Sequence, residues 1–456
     1  MFDYNGKSIK KIGFLGLGKS NIGICQYLLN KLKNPQITLR CHTANDVSGI
    51  TANRIFTGEN MLCDIDEDIL FISPSARRDV KELIDAKRRG VILSSDAEFF
   101  FSLSRSDIYT ITGSDGKSTT TYLTSRMLSE SYSNAVPCGN FGEALTPHLD
   151  DEQNTAYVAE LSSFQLMYMK PKSKRCVITN ISENHLNWHS SFEEYINAKR
   201  NIFDNAVQRI INYDCEITRS FAKDYKIFAV FSRKESESAL KRQINADIYV
   251  TEEEGKILVS GERVLDTKDI LVGKNHNVLN FMSAIAMSYG KCKNESIVTL
   301  AKGFGGLPHR CEFVAKINGI SYYNSSIDSS PKRCVATLNM FLERVILIIG
   351  GRSKGLDFAE LVPTLKEKTK SIIITGECGG EIEYLLKNDK YFLESKIPFL
   401  RMDSFVDAVK HAARTAKPGD TVLLSPAATS FDCFKNFEER GEIFRKTVKG
   451  LGIERK

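Results

Sequence analysis

Residues Ile111 to Thr120 read ITGSDGKSTT, and the reading of this stretch decides the fold. It closes as a phosphate-binding loop closes, on Gly116-Lys117-Ser118. The Walker pattern, however, has a glycine five positions before Gly116, where this chain has Ile111, and the earlier glycine lies only three back, at Gly113. The flanks nevertheless fit: DIYTI upstream is β-branched and apolar, and TTTYLTSRML downstream has a helical pattern. Strand, glycine turn and helix are what a phosphate cradle requires. Glycine lets backbone N–H groups converge on one concavity, and the helix adds its positive end. In such a loop Lys117 is a point charge for the β and γ phosphates, and the hydroxyl of Ser118 or Thr119 ligates Mg²⁺.

The same order recurs in KKIGFLGLGKSNIGICQYLLNKL and ERVILIIGGRSKGLDFAELVPTL. Each is the βα half of a βαβ unit, and three such units far apart predict an α/β protein with one parallel sheet per domain. At about 150 residues per domain, a chain of 456 residues has room for three. The expected boundaries are 1–102 (Rossmann-like), 103–306 (P-loop-type, with a parallel sheet) and 307–456 (Rossmann-like). QITLRC, DILFIS and GVILSS are the further strands of the first domain. AYVAE, RCVITN and RIINYD belong to the second, and SIIITGE and DTVLLSP to the third. GLGKSNIG looks like a dinucleotide fingerprint but has Ser-Asn-Ile where G-x-x-G is expected, which makes an NAD reading weak.

Composition narrows the classes. The net charge of +6 is spread without long blocks of one sign, so neither a nucleic-acid arm nor a membrane arm is expected, and small anionic ligands suit the mild basic excess. Eleven cysteines are scattered without a CxxC pair, which predicts reduced thiols in a cytoplasm and no structural metal on sulfur. The N-terminal residues show no secretory h-region, and the apolar runs are far below the roughly 18 residues that span a bilayer. A cytoplasmic monomer is the expectation.

A magnesium nucleotide site needs oxygen ligands beyond the loop. Glu160 ends the strand-like AYVAE and His185 follows VITNI, so both fall at strand tips facing one crevice. Taken singly, Glu160 reads more readily as a helix cap and His185 as a buried, hydrogen-bonded histidine; their repeated placement after strands is what shifts the balance.

Together, ITGSDGKSTT, AELSSFQL, TNISENHLNWHSSFEEYINAKRNIF, GKNHNVLNFMSAIA, GLPHRCE and LLSPAATSFDCFKNFEERG resemble the Mur ligases, the ATP-dependent amide ligases of peptidoglycan synthesis, over nearly the whole chain. ELSSFQL and SFDCFKNFEERG resemble the D-glutamate-adding branch in particular. The resemblance implies that a carboxylate of UDP-N-acetylmuramoyl-L-alanine takes the γ-phosphoryl group of ATP and that the amine of D-glutamate attacks the acyl phosphate. Positioning and cationic neutralisation of crowded oxygens would carry that chemistry.

Residue by residue, it implies that Gly113, Ser114, Asp115, Gly116, Lys117, Ser118 and Thr119 hold the ATP phosphates, with Asn277, Asn280 and Arg310 on the nucleotide. Ser118 or Thr119 and Glu160 would bind one Mg²⁺, and His185 and Lys199 a second. Lys199 matches the family's carbamylated lysine, although by itself it reads as an ordinary surface helix lysine. Lys117, Glu160, His185 and Lys199 would be the catalytic set. Lys19, Ser20 and Ser73 would take the UDP end, and Asn140, Ser162 and His185 the muramoyl-alanine end. Ser329, Lys354, Ser430, Phe431 and Phe437 would take D-glutamate; Phe431 and Phe437 read alone as helix-face core residues.

The chain departs from the family most clearly at Asn324-Ser325-Ser326-Ile327-Asp328-Ser329-Ser330, where relatives read N-D-S-K-A-T-N. Asp328 is the one carboxylate there that could stand in for the missing one. Rivals are a folyl-polyglutamate-type ligase, which would lack the UDP-binding first domain, and a non-catalytic UDP-sugar- or ATP-binding relative. An NAD oxidoreductase would leave the phosphate loop unexplained.

Overall fold

The structure, a computed structural model, describes residues 2–4, 6–42, 50–150, 154–271, 274–353 and 355–451, with Lys19, Lys274, Asn275 and His276 described in their backbone alone. The chain divides into two compact units, one of residues 1–270 and 274–302, the other of 271–273 and 303–456.

The strand Asp107–Thr112 is buried along nearly its whole length on both faces, as a central strand of a covered parallel sheet must be. It lies between Thr155–Glu160 and Ser173–Ile178 in a nine-stranded sheet that continues through Ala206–Asn212, Ile227–Ser232 and Ala246–Glu253. Two antiparallel strands, Lys256–Val259 and Glu262–Asp266, extend one end. After Asp107–Thr112 the chain runs to one side of the sheet, and after Thr155–Glu160 it crosses to the other. The crevice at the carboxyl end of Asp107–Thr112 is therefore a topological switch point, where open α/β sheets bind ligands. The opposite edge strand, Asn134–Gly139, contains Pro137, whose missing N–H an edge tolerates.

The first unit holds a second sheet of five parallel strands in the order Arg54–Thr57, Gln36–Cys41, Lys11–Leu15, Ile69–Ile72, Ile92–Ser94. The helix Asp96–Leu103 leads from it to the central sheet. Its Asp96, 3% exposed, accepts the N–H groups of Leu145 and Thr146 at 3.3 and 3.0 Å and so ties the two sheets together. The second unit is a six-stranded sheet, parallel except for the hairpin Glu312–Ile317/Ile320–Asn324 at one edge. Every strand expected from the sequence is present. Several others were not expected, among them Asn134–Gly139, Ile227–Ser232, Ala246–Glu253 and Arg54–Thr57; the residues of Arg54–Thr57 are largely half-buried and lack the apolar run that marks an interior strand.

Candidate active site

Gly113 and Gly116 have φ values of 151° and 77°, in the region where side chains are strained. A Cβ on Gly113 would lie 1.9 Å from Thr179 Oγ1, and one on Gly116 2.3 Å from Asn280 Oδ1. Both glycines are thus dictated by backbone conformation and by close neighbours. Gly116 then caps the helix Lys117–Leu128.

The loop is braced from the next strand. The N–H of Ser114 donates to the Asn180 carbonyl (2.9 Å), that of Asp115 to Asn180 Oδ1 (2.9 Å), and Thr179 Oγ1 donates to the Asp115 carbonyl (2.6 Å). Ser114 Oγ donates to the Ser182 carbonyl at 3.0 Å and lies 2.8 Å from the Tyr195 hydroxyl. Lys117 Nζ donates to the Ser114 carbonyl at 2.9 Å. Ser118 is buried and Thr119 half-buried at the start of the helix. Asn280 and Asn277, both buried, are joined by an amide hydrogen bond of 2.9 Å on the helix Lys274–Ser288, beside Gly116.

Glu160 ends its strand at 1% exposure. Asn140 Nδ2 donates to its Oε1 at 2.7 Å, and its Oε2 is buried with no hydrogen-bond partner. The helix-cap alternative fails, because Ser162 is the residue that caps the short helix Ser163–Leu166, in a capping box with Gln165. An unmatched buried carboxylate oxygen is costly; beside a phosphate loop it fits a cation. Among the described residues no three His, Cys, Asp or Glu groups gather.

Lys199 is no surface lysine. It is 2% exposed, and its Nζ donates to the Gly113 carbonyl at 2.8 Å and to Thr112 Oγ1 at 3.3 Å, 4.7 Å above the Tyr195 ring. Burial, then the charge of Lys117, holds its ammonium well below the ordinary lysine range despite Glu160 and Asp115. His185 is exposed, at φ 56°, with its ring 5.0 Å from that of Phe164. Partial desolvation by the protein around its ring, and then Lys117, Lys199 and His189, lower its pKa, which favours the neutral imidazole. The buried, hydrogen-bonded histidine is instead His189, 2% exposed, with Ser163 Oγ 2.9 Å from Nε2 and Glu194 Oε2 3.2 Å from Nδ1.

In the first sheet Gly16, φ 76°, turns beside Ser73, and a Cβ there would lie 3.0 Å from Ser73 Cβ. Asn21 shows why this turn departs from the dinucleotide fingerprint: its amide donates to the carbonyls of Leu15, Gly16 and Phe71 at 3.0, 2.7 and 3.2 Å. Ser20 is half-buried in the first turn of the helix Lys19–Lys31, and the side chain of Lys19 lies outside the described residues.

Arg310, Ser329, Ser430, Phe431 and Phe437 belong to the second unit, and Lys354 lies outside the described residues. Arg310 is exposed and Ser329 half-buried. Ser430 is buried, whereas Phe431 is 57% exposed and Phe437 half-buried, so the core reading fails for Phe431. Asp328 cannot stand in for the lost carboxylate. It is 4% exposed, accepts the Ser425 hydroxyl at 2.8 Å, and has its pKa raised by burial against hydrogen bonds from Ser325, Thr337 and Ser425. Arg440, which sequence reasoning missed, is 1% exposed and donates to the carbonyls of Ser326, Ala428 and Thr429 at 2.9, 3.1 and 3.1 Å. It pins the NSSIDSS segment to the SPAATS turn. Thr179 and Asn180 were also missed, although their place just past a strand was the available signal.

A central parallel strand that feeds a glycine loop into a helix N-terminus, with a buried carboxylate and a buried amine at its tip, defines a phosphate-binding α/β protein of the P-loop kind. Residues 111–288 match the Mur ligase middle domain and 309–428 the Mur ligase glutamate ligase domain. The chain is 36% identical to the UDP-N-acetylmuramoylalanine--D-glutamate ligase of Ruminiclostridium cellulolyticum and 37% to that of Acetivibrio thermocellus, over 97% of each chain. The chain belongs to the Mur ligase family. Its fold is similar to that of UDP-N-acetylmuramate-alanine ligase MurC from Thermotoga maritima, with TM-score 0.56 and 16% identity over 97% of this chain and 99% of that one. It is likewise similar to MurF from Acinetobacter baumannii, with TM-score 0.52 and 16% identity over 79% and 82%.

Proposed function

We propose that the chain is an ATP-dependent ligase that joins D-glutamate to UDP-N-acetylmuramoyl-L-alanine, working in the cytoplasm as a monomer on small-molecule substrates. The observation that carries this reading is the Glu160 carboxylate, buried with one oxygen unmatched, within the same crevice as the phosphate loop and the buried Lys199 amine. The relatives' printed activity supplies the substrates. The free state of all eleven cysteines is compatible with a reducing compartment. Among the described residues no helix is long and apolar enough to cross a membrane.

In this reading residues 1–102 take the UDP end through Lys19, Ser20 and Ser73, 103–306 take ATP, and 307–456 take D-glutamate through Ser329, Lys354, Ser430, Phe431 and Phe437. Arg310, Asn277 and Asn280 contact the nucleotide. The loop N–H groups and Lys117 hold the phosphates and neutralise charge as the γ-phosphoryl group passes to the substrate carboxylate. Asn140, Ser162 and His185 orient that carboxylate. Glu160 with Ser118 or Thr119 would hold one Mg²⁺, and His185 with Lys199 a second. Bound there, the ions supply Lewis-acid charge to the phosphoryl oxygens. Because its ammonium is disfavoured, Lys199 is disposed to the free amine, the form that adds CO₂ and releases a proton to become a carbamate anion, a metal ligand where an ammonium would repel.

The test is phosphate release from ATP with UDP-N-acetylmuramoyl-L-alanine, offering D-glutamate, L-glutamate, L-lysine or meso-diaminopimelate. Release coupled to D-glutamate alone is expected. Release with another amine moves the chain to a sister ligase, and none with any amine refutes the reading.

A further inference from the structure

The loop after the strand Ile69–Ile72 carries Ser73 and Ser75, and it is fastened to the central sheet by direct hydrogen bonds. Trp188 donates its indole N–H to the Ser75 carbonyl at 2.9 Å. Arg77 donates from Nη1 to the Trp188 carbonyl at 2.8 Å, and from Nη1 and Nη2 to the two Glu194 carboxylate oxygens at 3.2 and 3.3 Å. Its guanidinium lies 5.1 Å from the Trp188 ring centroid.

The path continues inward. Glu194 also accepts the Ser190 N–H at 2.9 Å and meets His189 Nδ1, while His189 Nε2 meets Ser163, the residue after Ser162. The carbonyl of His185 accepts the N–H groups of both Trp188 and His189 at 3.0 Å, so displacement of 188–189 is carried to His185. Glu194 opens the helix Phe192–Arg200 that presents Tyr195 and Lys199 to the phosphate loop.

Arg77 and Glu194 have side chains 26% and 23% exposed, and Arg77 has a second partner in Asp79 on its own loop at 2.9 and 3.0 Å. An ion pair this open to water adds little net stability. What the planar guanidinium adds is orientation, since its donors meet a carboxylate and a carbonyl in one fixed geometry.

We propose that Arg77, Glu194 and His189 are positioning residues that couple occupancy of the Ser73–Ser75 loop to placement of the Ser162–Ser163 turn and the His185 loop. The inference rests on the substrate reading proposed above. Binding energy from the remote UDP end is then used at the reacting carboxylate, and it should appear in kcat as well as KM.

The experiment compares wild type, Arg77→Met and Arg77→Lys on two acceptors, UDP-N-acetylmuramoyl-L-alanine and N-acetylmuramoyl-L-alanine without UDP. Arg77→Met should lower kcat on the full acceptor by roughly 10- to 100-fold, the scale of a misplaced reacting group, with KM for ATP unchanged. On the truncated acceptor, which has no remote energy to transmit, the loss should stay below about threefold. Arg77→Lys, which keeps the charge and loses the fork, should resemble the methionine variant. Equal losses on both acceptors would show a merely structural role and overturn the proposal, as would no loss on either. A second arm needs no turnover: amide hydrogen exchange of the unliganded protein should quicken in 162–166 and 182–190 of Arg77→Met by about tenfold or more, with 107–112 unchanged. Unchanged exchange in those loops overturns the relay. If wild type turns over neither acceptor, the substrate reading falls and the exchange arm alone decides the relay.

Discussion

Two glycine turns in the first unit share one local pattern and differ in what surrounds them. At Gly16-Leu17-Gly18 the Asn21 amide closes the turn on three carbonyls, and the buried charges nearby form an opposite pair, Arg40 with Glu67 at 2.8 Å, although Asn21 Oδ1 and Glu67 Oε2 are buried without a hydrogen-bond partner. At Gly113–Gly116 the neighbourhood is electrically unfinished. Among the described residues Glu160 is hydrogen-bonded by the neutral Asn140 amide and sits in no ion pair, and Lys199 is buried with its ammonium disfavoured. A turn whose buried charges are paired can bind; one whose buried charges are not is prepared for groups that arrive with charge of their own. The lesson is that the strand–glycine–helix pattern locates a phosphate site, while the buried charges beside it decide whether chemistry follows.

The sharpest way to break this comparison is to remove the unmatched charge. Glu160→Gln keeps shape and the Asn140 contact, and should lower kcat about a thousandfold, as loss of preorganised charge stabilisation does. Its melting temperature should hold or rise, because a buried carboxylate without an ion-pair partner has been deleted. Ser73→Ala at the first turn should raise KM for the UDP substrate by at most about tenfold, the scale of one hydrogen bond, and leave kcat within about twofold. A Glu160→Gln enzyme with near-normal kcat would put the two turns on the same footing.

Next in size is steric. Gly113→Ala forces a Cβ to within 1.9 Å of Thr179 Oγ1, and Gly16→Ala only to 3.0 Å of Ser73 Cβ. Strain plus overpacking should cost Gly113→Ala about 3 kcal/mol or more in urea unfolding, and Gly16→Ala about 1–2 kcal/mol. Equal costs would mean that the central loop is no more tightly constrained than the first turn.

The strand that leads into each glycine turn was legible because strand, glycine and helix are local signals, and so was the phosphate loop; outer strands such as Ile227–Ser232 and Ala246–Glu253, which lead into no glycine turn and helix, were not. The edge strand Asn134–Gly139 was hidden by Pro137, and Arg54–Thr57 by partial exposure. Spacing placed Glu160 and Lys199 at strand and helix positions but could not show that both are buried, since burial depends on elements far off in sequence. That is how Lys199 reads as a surface lysine, and how the buried-histidine description fell on His185 when it belongs to His189. Arg77 and Glu194, 117 residues apart, leave no trace in local pattern. Asp328 was visible as a carboxylate, and its inward turn toward Ser425 was not.

The smallest effect expected is a slope. Burial disfavours the charged form of Lys199, so its folded pKa lies below the ordinary 10.5. At pH below the folded pKa, folded and unfolded chains both hold the proton and the full penalty of a buried charge is present. Between the folded pKa and 10.5 the unfolded chain binds more protons than the folded one, so stability climbs with pH. Relative to Lys199→Met, wild type in CO₂-free buffer should therefore gain stability through that interval, by no more than about 1.4 kcal/mol per pH unit for one proton. Urea unfolding of both proteins at stepwise pH measures it. A flat difference would mean that Lys199 stays as charged in the fold as in the open chain; the contrast with the ion-paired first turn would then rest on Glu160 alone, and the amine would lose its disposition toward CO₂.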